Sequence, residues 1–398
     1  MNDTDRYNNF INLYPSDEPS NGKSNKNGAA NLTEGVSQED SMLLDRFMTI
    51  YRLIIKDHQT FTPELQLQWC EILIEVAMNE AFISQYTING EKLPHKLSQP
   101  KMLQNQNIII EHSMKVISKL MRLKYGPSFY LMGCLFSNKY KFPITFLDHD
   151  DSKALKYYKM GAKLRHDECC YRCGICYEYG KGIDKDIDQA IEWYKRGSEY
   201  CENHNCMFRL GYIYLYDLCD IIQCMEWFEM ADSYGSFHAC FEMAKIYEFN
   251  DLPEWLQIQL NKNIKNNKLA LKYYYKCANK YNYSLAQWKL GYCYERGLLG
   301  LPVTGVKSLA WYYKSVESVK KTNTNDNNSN QKLNIMSMLG IIGWYITGIP
   351  GVLKPNFNQA LTWSEKAYAC LQNNTPPAVR LKVERAHNVL SSLQQSTS

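Results

Sequence analysis

The 398-residue sequence predicts an all-α protein, an alpha-solenoid of about six helical hairpins behind an N-terminal helical segment. Three observations carry that prediction. A small residue recurs at Ala154, Ala190, Cys224, Ala270, Ser308 and Ala360. Three residues after each stands a large aromatic: Tyr157, Trp193, Trp227, Tyr273, Trp311 and Trp363. Seven residues after each stands another small residue: Gly161, Gly197, Ala231, Cys277, Ser315 and Ala367. Offsets of zero, three and seven share one face of an α-helix. The small pair is expected to let a neighbouring helix approach, and the aromatic at the third position to fill the core between them.

This frame is the second helix of each hairpin. Four residues before each reference position stands a residue able to cap a helix: Asp150, Asp186, Asp220, Asn266, Thr304 and Asn356. Such side chains accept bonds from the free N–H groups of a first turn. Gln189 and Gln359 follow their caps at capping-box spacing. The first helix of each hairpin carries a small residue and then tyrosine, as in Gly174 to Tyr177, Gly211 to Tyr214, Ala244 to Tyr247 and Gly291 to Tyr294. Gly180, Gly297 and Gly348 are expected to end three of these helices in the left-handed conformation. One hairpin cannot bury its apolar face alone, so the hairpins must stack.

The remaining segments follow in order. Residues 1–41 are rich in Asn, Ser, Asp and Gly and are expected to be disordered, because they cannot bury enough apolar area to offset ordering. Residues 42–124 form the N-terminal helical segment. Periodicity starts at Leu44, Phe47, Tyr51 and Ile54, and a second helix opens at Thr62-Pro63-Glu64. Residues 85–106, polar and holding two prolines, read as a loop before a helix from Ile108 to Leu123. The solenoid occupies 125–375, with insertions at Asn250 to Asn266 and at the Asn-rich, expectedly mobile Lys320 to Asn330. Residues 376–398 give a C-terminal capping helix and tail. The third and fifth repeats are degenerate: Leu215 to Leu218 lacks a glycine turn, and Ser315 and Val316 replace an alanine pair.

Composition narrows the function. A net charge of +4 argues against an electrostatic nucleic-acid binder. The opening residues Met1 to Glu39 lack the apolar stretch of a signal peptide, and no run is long enough to span a bilayer. The expectation is a cytoplasmic protein whose 14 cysteines are free thiols.

The stretch Cys173-Gly-Ile-Cys-Tyr-Glu-Tyr-Gly-Lys-Gly-Ile183, with Asp186 and Ala190-Ile-Glu-Trp-Tyr194, resembles a Sel-1-like repeat, a relative of the tetratricopeptide repeat. Gly343-Trp-Tyr-Ile-Thr-Gly-Ile-Pro-Gly351, followed by Ala360 and Trp363, is similar to the last repeat of fungal chitin synthase regulators. Pro63-Glu-Leu-Gln-Leu-Gln-Trp69 is similar to the helical segment before the repeats in that branch. The resemblance implies a non-catalytic adaptor that binds a protein partner, a membrane chitin synthase or its targeting machinery, in cell-wall formation. It implies a place at the plasma membrane, bud neck or septum through that partner. A related activator group shares the features, so the alternative is a scaffold of a kinase or cell-integrity pathway. Some members end in a prenylated cysteine; the Gln395-Ser-Thr-Ser398 end here carries none, which argues against direct lipid anchoring but not against partner binding, and with no spanning run no direct membrane insertion is expected.

No catalytic residues, cofactor or metal are expected. Cys169, Cys170, Cys173 and Cys176 have metal-like spacing, but they flank the helix-packing positions Gly174 and Tyr177 and read as small buried hydrophobes. The less favoured rival class is a metal- or ligand-binding redox protein using these thiols, or Cys201, His204 and Cys206. Asp148-His149-Asp150-Asp151 reads as a polar turn leading to a cap, and Gly180-Lys-Gly182 lacks the rest of a phosphate loop. One set of residues is a candidate partner site. Arg172, Arg209 and Lys289 each stand two residues before the small residue of a first helix, and such a basic ladder suits an acidic peptide or a chain-terminal carboxylate. The competing reading is a solvated helix face.

Overall fold

A computed structural model describes residues 38–56, 62–88, 90–137, 139–140, 148–249, 252–260, 264–321, 327–371 and 375–397. These form 18 α-helices, with no strand among the described residues. Two compact units divide the chain between Cys206 and Met207.

The first unit opens with α1 (Gln38–Lys56), α2 (Pro63–Met78), the short α3 (Glu80–Gln85) and α4 (Gln99–Arg122). Thr62 caps α2 as its sequence suggests, accepting from the Leu65 N–H. Phe47, Trp69, Leu73, Phe82 and Ile109 form the core of this segment. Helix α4 starts well before the expected Ile108, so the loop is confined to the residues before Gln99. The reason is local satisfaction of polar groups. Gln106, fully buried, donates to the Ala77 carbonyl at 2.8 Å. Asn105 donates to the carbonyls of Ile83 and Tyr86 at 2.9 and 2.8 Å. Polar side chains here are the glue between helices, which hydrophobic periodicity does not register. The expected disorder of residues 1–37 lies outside the described residues; residues 38–41 already belong to α1.

Hairpins follow: α5 (Gly126–Phe136) with α6 (Asp151–Lys163), then α7 (Asp167–Tyr179) with α8 (Ile187–Cys201). Helix α9 (His204–Tyr216) starts at the end of this unit and lies mostly in the second.

The second unit continues with α10 (Ile221–Ser233), α11 (Phe237–Glu248), the short inserted α12 (Glu254–Gln259), α13 (Asn267–Lys280) and α14 (Ser284–Arg296). It ends with α15 (Gly305–Lys321), α16 (Asn327–Thr347), α17 (Phe357–Ala369) and α18 (Pro377–Thr397). In the first unit each helix from α1 to α8 packs on the next; in the second, α10 packs on α11, α11 on α13, and each helix from α13 to α18 on the next. Of the Asn-rich insertion, 322–326 lie outside the described residues, while Asn327 to Asn330 form the start of α16 rather than a loop.

One turn closes all six hairpins. The backbone N–H of each cap position donates to a carbonyl near the end of the preceding helix. The pairs are Asp150 to Phe136, Asp186 to Tyr177, Asp220 to Tyr214, Asn266 to Tyr247, Thr304 to Tyr294 and Asn356 to Tyr345, at 2.8–3.0 Å. The cap side chains of Asp150, Asp186, Asp220, Asn266 and Asn356 accept first-turn N–H bonds. Thr304 instead donates its hydroxyl to the Pro302 carbonyl, and Gln189 reaches forward to Glu192 rather than back to its cap. Gly180 and Gly297 end α7 and α14 with φ near 67° and 66°. The third repeat, lacking that glycine, puts Cys219 in the left-handed region at φ 57° and still closes on Tyr214. Closure therefore depends on the backbone bond, and glycine lowers its conformational strain.

Candidate functional site

The aromatic expected to fill the gap at the third position is only half-buried in five of six repeats; Trp363 alone is buried there. The fully buried ring sits one residue later, as Tyr158, Tyr194, Phe228, Tyr274 and Tyr312. The correction follows from helix geometry: an additional 100° of rotation turns that residue squarely onto the first helix of its own hairpin. There it lies over the small residue. A Cβ built on Gly174 would stand 2.3 Å from the Tyr194 ring, and one on Gly133 2.4 Å from the Tyr158 ring. The third-position aromatics flank this core instead. Tyr157 stacks on Phe136 at 5.8 Å and Tyr273 on Tyr247 at 5.7 Å between ring centres. Their outer faces carry cations: Arg196 over Trp193, Lys314 over Trp311 and Lys366 over Trp363, at 4.4–4.8 Å.

The buried tyrosines bring polar atoms into the core, and each finds a partner. Tyr194 donates to Glu178 at 2.8 Å, Tyr274 to Glu248 at 2.6 Å and Tyr312 to Glu295 at 2.7 Å. In these three the acceptor follows the tyrosine of the first helix, in the dipeptides Tyr177-Glu178, Tyr247-Glu248 and Tyr294-Glu295, whereas Tyr158 bonds to Ser137. Those dipeptides were the available sequence signal. They escape a reading by hydrophobic period because a glutamate in an amphipathic helix reads as solvent-facing.

The basic residues divide. Lys289, 5% exposed, pairs with Glu248 of the preceding repeat at 3.0 Å. One carboxylate thus receives a tyrosine of its own hairpin and a lysine of the next. Arg209 is fully buried, with its guanidinium 4.9 Å from the centre of the Tyr212 ring. Neither stands on a solvated face, and neither lies off the packed surface as the sequence suggested. Two residues before the small residue is an inter-helix position, so a base there needs an acid or an aromatic ring as neighbour. Arg172 is half-buried and lies in the first unit, against Tyr130 and Tyr171.

Small residues at the seventh position receive the next helix. Cys169 Sγ lies against Gly161 and Cys206 Sγ against Gly197. Cys169 and Cys206 are therefore helix-packing groups, and Cys170, Cys173 and Cys176 are buried beside them in sequence. Burial pushes the Cys170 and Cys176 thiols up to about 12, and those of Cys169 and Cys173 well above the ordinary thiol range. Among the described residues, no three His, Cys, Asp or Glu side chains come together as a metal-binding group. Because the thiolate is the nucleophile, the buried set should resist alkylation. In native protein at about pH 8, near the ordinary thiol pKa, iodoacetamide should label Cys201, Cys219 and Cys370 first, all partly exposed. Peptide mass spectrometry finding Cys173 among the first sites would show that this helix opens.

Helical hairpins stacked through small-residue notches and closed by one recurring turn define an α-solenoid repeat protein. A family profile described as the Sel1 repeat matches residues 144–166, 167–199, 204–231, 264–282, 284–318 and 336–370. The chain belongs to the Sel1 repeat proteins, in the branch of the fungal chitin synthase regulators.

Activator of C kinase protein 1 of Saccharomyces cerevisiae is 41% identical over 343 residues, 81% of this chain and 53% of that protein. Chitin synthase regulatory factor 3 of Schizosaccharomyces pombe is 34% identical over 228 residues, 56% of this chain and 22% of that one. The chain thus spans about half, or less, of the length of these relatives. A solved Sel1 repeat protein from Oxalobacter formigenes aligns with 68% of this chain and 95% of its own, at 20% identity and a TM-score of 0.47. No described helix is long and apolar enough to cross a membrane.

Proposed function

We propose that this chain is a non-catalytic adaptor that activates or positions a membrane chitin synthase by binding it, or its targeting machinery, through the repeat surface. The observation supporting an adaptor over a catalyst is the employment of the buried polar groups. Glu178, Glu248, Glu295, Lys289 and the buried tyrosines hold helices and neighbouring hairpins together. The relatives named as chitin synthase regulators support the choice of partner. On this reading the protein acts in the cytoplasm, at the plasma membrane, bud neck or septum, and the partner supplies the membrane. A second reading, a scaffold for a protein kinase, is favoured by the 41% identity to a protein named as an activator of C kinase.

Affinity capture from detergent-solubilised fungal membranes, with quantification of chitin synthase and C kinase against a beads-only control, separates the two. Retention of the synthase supports the first reading. Retention of the kinase alone moves the function to the second, and retention of neither overturns both.

A further inference from the structure

We infer that the first hairpins carry a seat for an oxyanion on a peptide, formed by Arg172 and Lys139 around the ring of Tyr130. This deepens the adaptor reading above and rests on it, by naming the partner chemistry. The Lys139 ammonium donates to the Tyr130 hydroxyl at 2.7 Å and lies 4.9 Å from the ring centre. The Arg172 guanidinium lies 6.0 Å from the same ring centre and 5.7 Å from that of Tyr171. Its Nε is buried and has no hydrogen-bond partner. Arg172 is thus unlike Lys289, whose charge is met by Glu248.

Two cations share one phenol, and their repulsion needs an offset. The acid whose charge both feel is Glu168, one turn back on α7. Two positive charges and one negative leave the cluster net positive by one. A half-buried guanidinium beside an exposed ammonium matches an acceptor-only group with several lone pairs, a carboxylate or a phosphate. The exposure of Lys139 leaves the seat open to solvent on that side. The two sources on a peptide are Asp, Glu or chain-terminal carboxylates, and phosphorylated side chains. In either case the rings of Tyr130 and Tyr171 hold the guanidinium in place, so less side-chain entropy is lost on binding.

The test uses the full chain and fluorescein-labelled octapeptides in a polarisation assay at low salt. One probe is octaglutamate with a free C-terminus, a second is octaglutamate amide, a third is a neutral peptide bearing one phosphoserine, and octaglutamine amide is the control. Binding of an acidic probe and not of the control is expected, weakening as salt rises. Preference for the free C-terminus, for side-chain carboxylates or for phosphoserine identifies the source. Lys139→Gln, on an exposed side chain, should weaken binding at least about fivefold without changing the melt. Arg172→Gln should weaken it at least about tenfold, and Lys139→Glu should abolish it.

If Arg172→Gln fails to fold, the two Lys139 variants still decide. Acidic probes bound equally by wild type and Lys139→Glu, or no better than octaglutamine amide, would overturn the seat. A captured partner that still binds Lys139→Glu at full affinity would sink the seat and leave the adaptor reading standing.

Discussion

Replacing Lys289 with Ala should lower the stability of the second unit by roughly 3–5 kcal/mol, the cost of leaving one member of a buried ion pair uncompensated. Lys289 and Glu248 are both under a tenth exposed, and their side chains meet at 3.0 Å across neighbouring repeats. Removing the lysine strands a carboxylate that keeps the Tyr274 hydroxyl as a donor but loses its countercharge. The paired replacement Lys289→Met with Glu248→Gln should recover most of the loss, because a neutral amide still accepts from Tyr274. Urea unfolding followed by circular dichroism measures both variants. A single-variant cost below about 1 kcal/mol would show that the pair is solvated and that Lys289 is free to serve a partner. The stated cost instead makes Lys289 a tie between hairpins.

Tyr194→Ala should cost roughly 3–5 kcal/mol, the range of buried aromatic truncations, while the neighbouring Trp193→Ala should cost about 1–2 kcal/mol. The larger side chain is expected to matter less. Tyr194 is 0% exposed and packs against Gly174, whereas Trp193 is half-buried beneath Arg196. Tyr194→Phe isolates the hydroxyl, whose bond to Glu178 contributes roughly 1.5–3 kcal/mol if the carboxylate is charged. Equal losses for Trp193→Ala and Tyr194→Ala would contradict the assignment of the core ring.

The repeat was legible because its signals are local. A cap, a small residue and an aromatic sit within one helix, and the fixed rotation of the helix turns their spacing into a shared face. The same locality limits what those signals specify. Adjacent aromatics at the third and fourth positions, as in Trp193-Tyr194 and Trp227-Phe228, both read as apolar, and which one faces the neighbouring helix is set by the crossing of two helices. The early start of α4 is hidden from the sequence because its first turns are joined to α2 by Gln106 and to the end of α3 by Asn105, whose partners are carbonyls some 20 to 30 residues away.

Arg172, Arg209 and Lys289 hold one register in the sequence, yet one is paired, one is fully buried beside a ring and one has an unbonded Nε. Register places a side chain on a face; the neighbouring repeat decides what stands opposite. The sequence by itself determined an all-α array of capped hairpins and the positions of its small-residue notches, because these follow from bonds and rotations within a few residues. Only the tertiary structure decided that Tyr194 rather than Trp193 fills the core, that Lys289 answers Glu248, and that Lys139 joins Arg172 at Tyr130. Each of those depends on which surfaces meet when hairpins stack, and a contact between distant residues leaves no period in the chain that makes it.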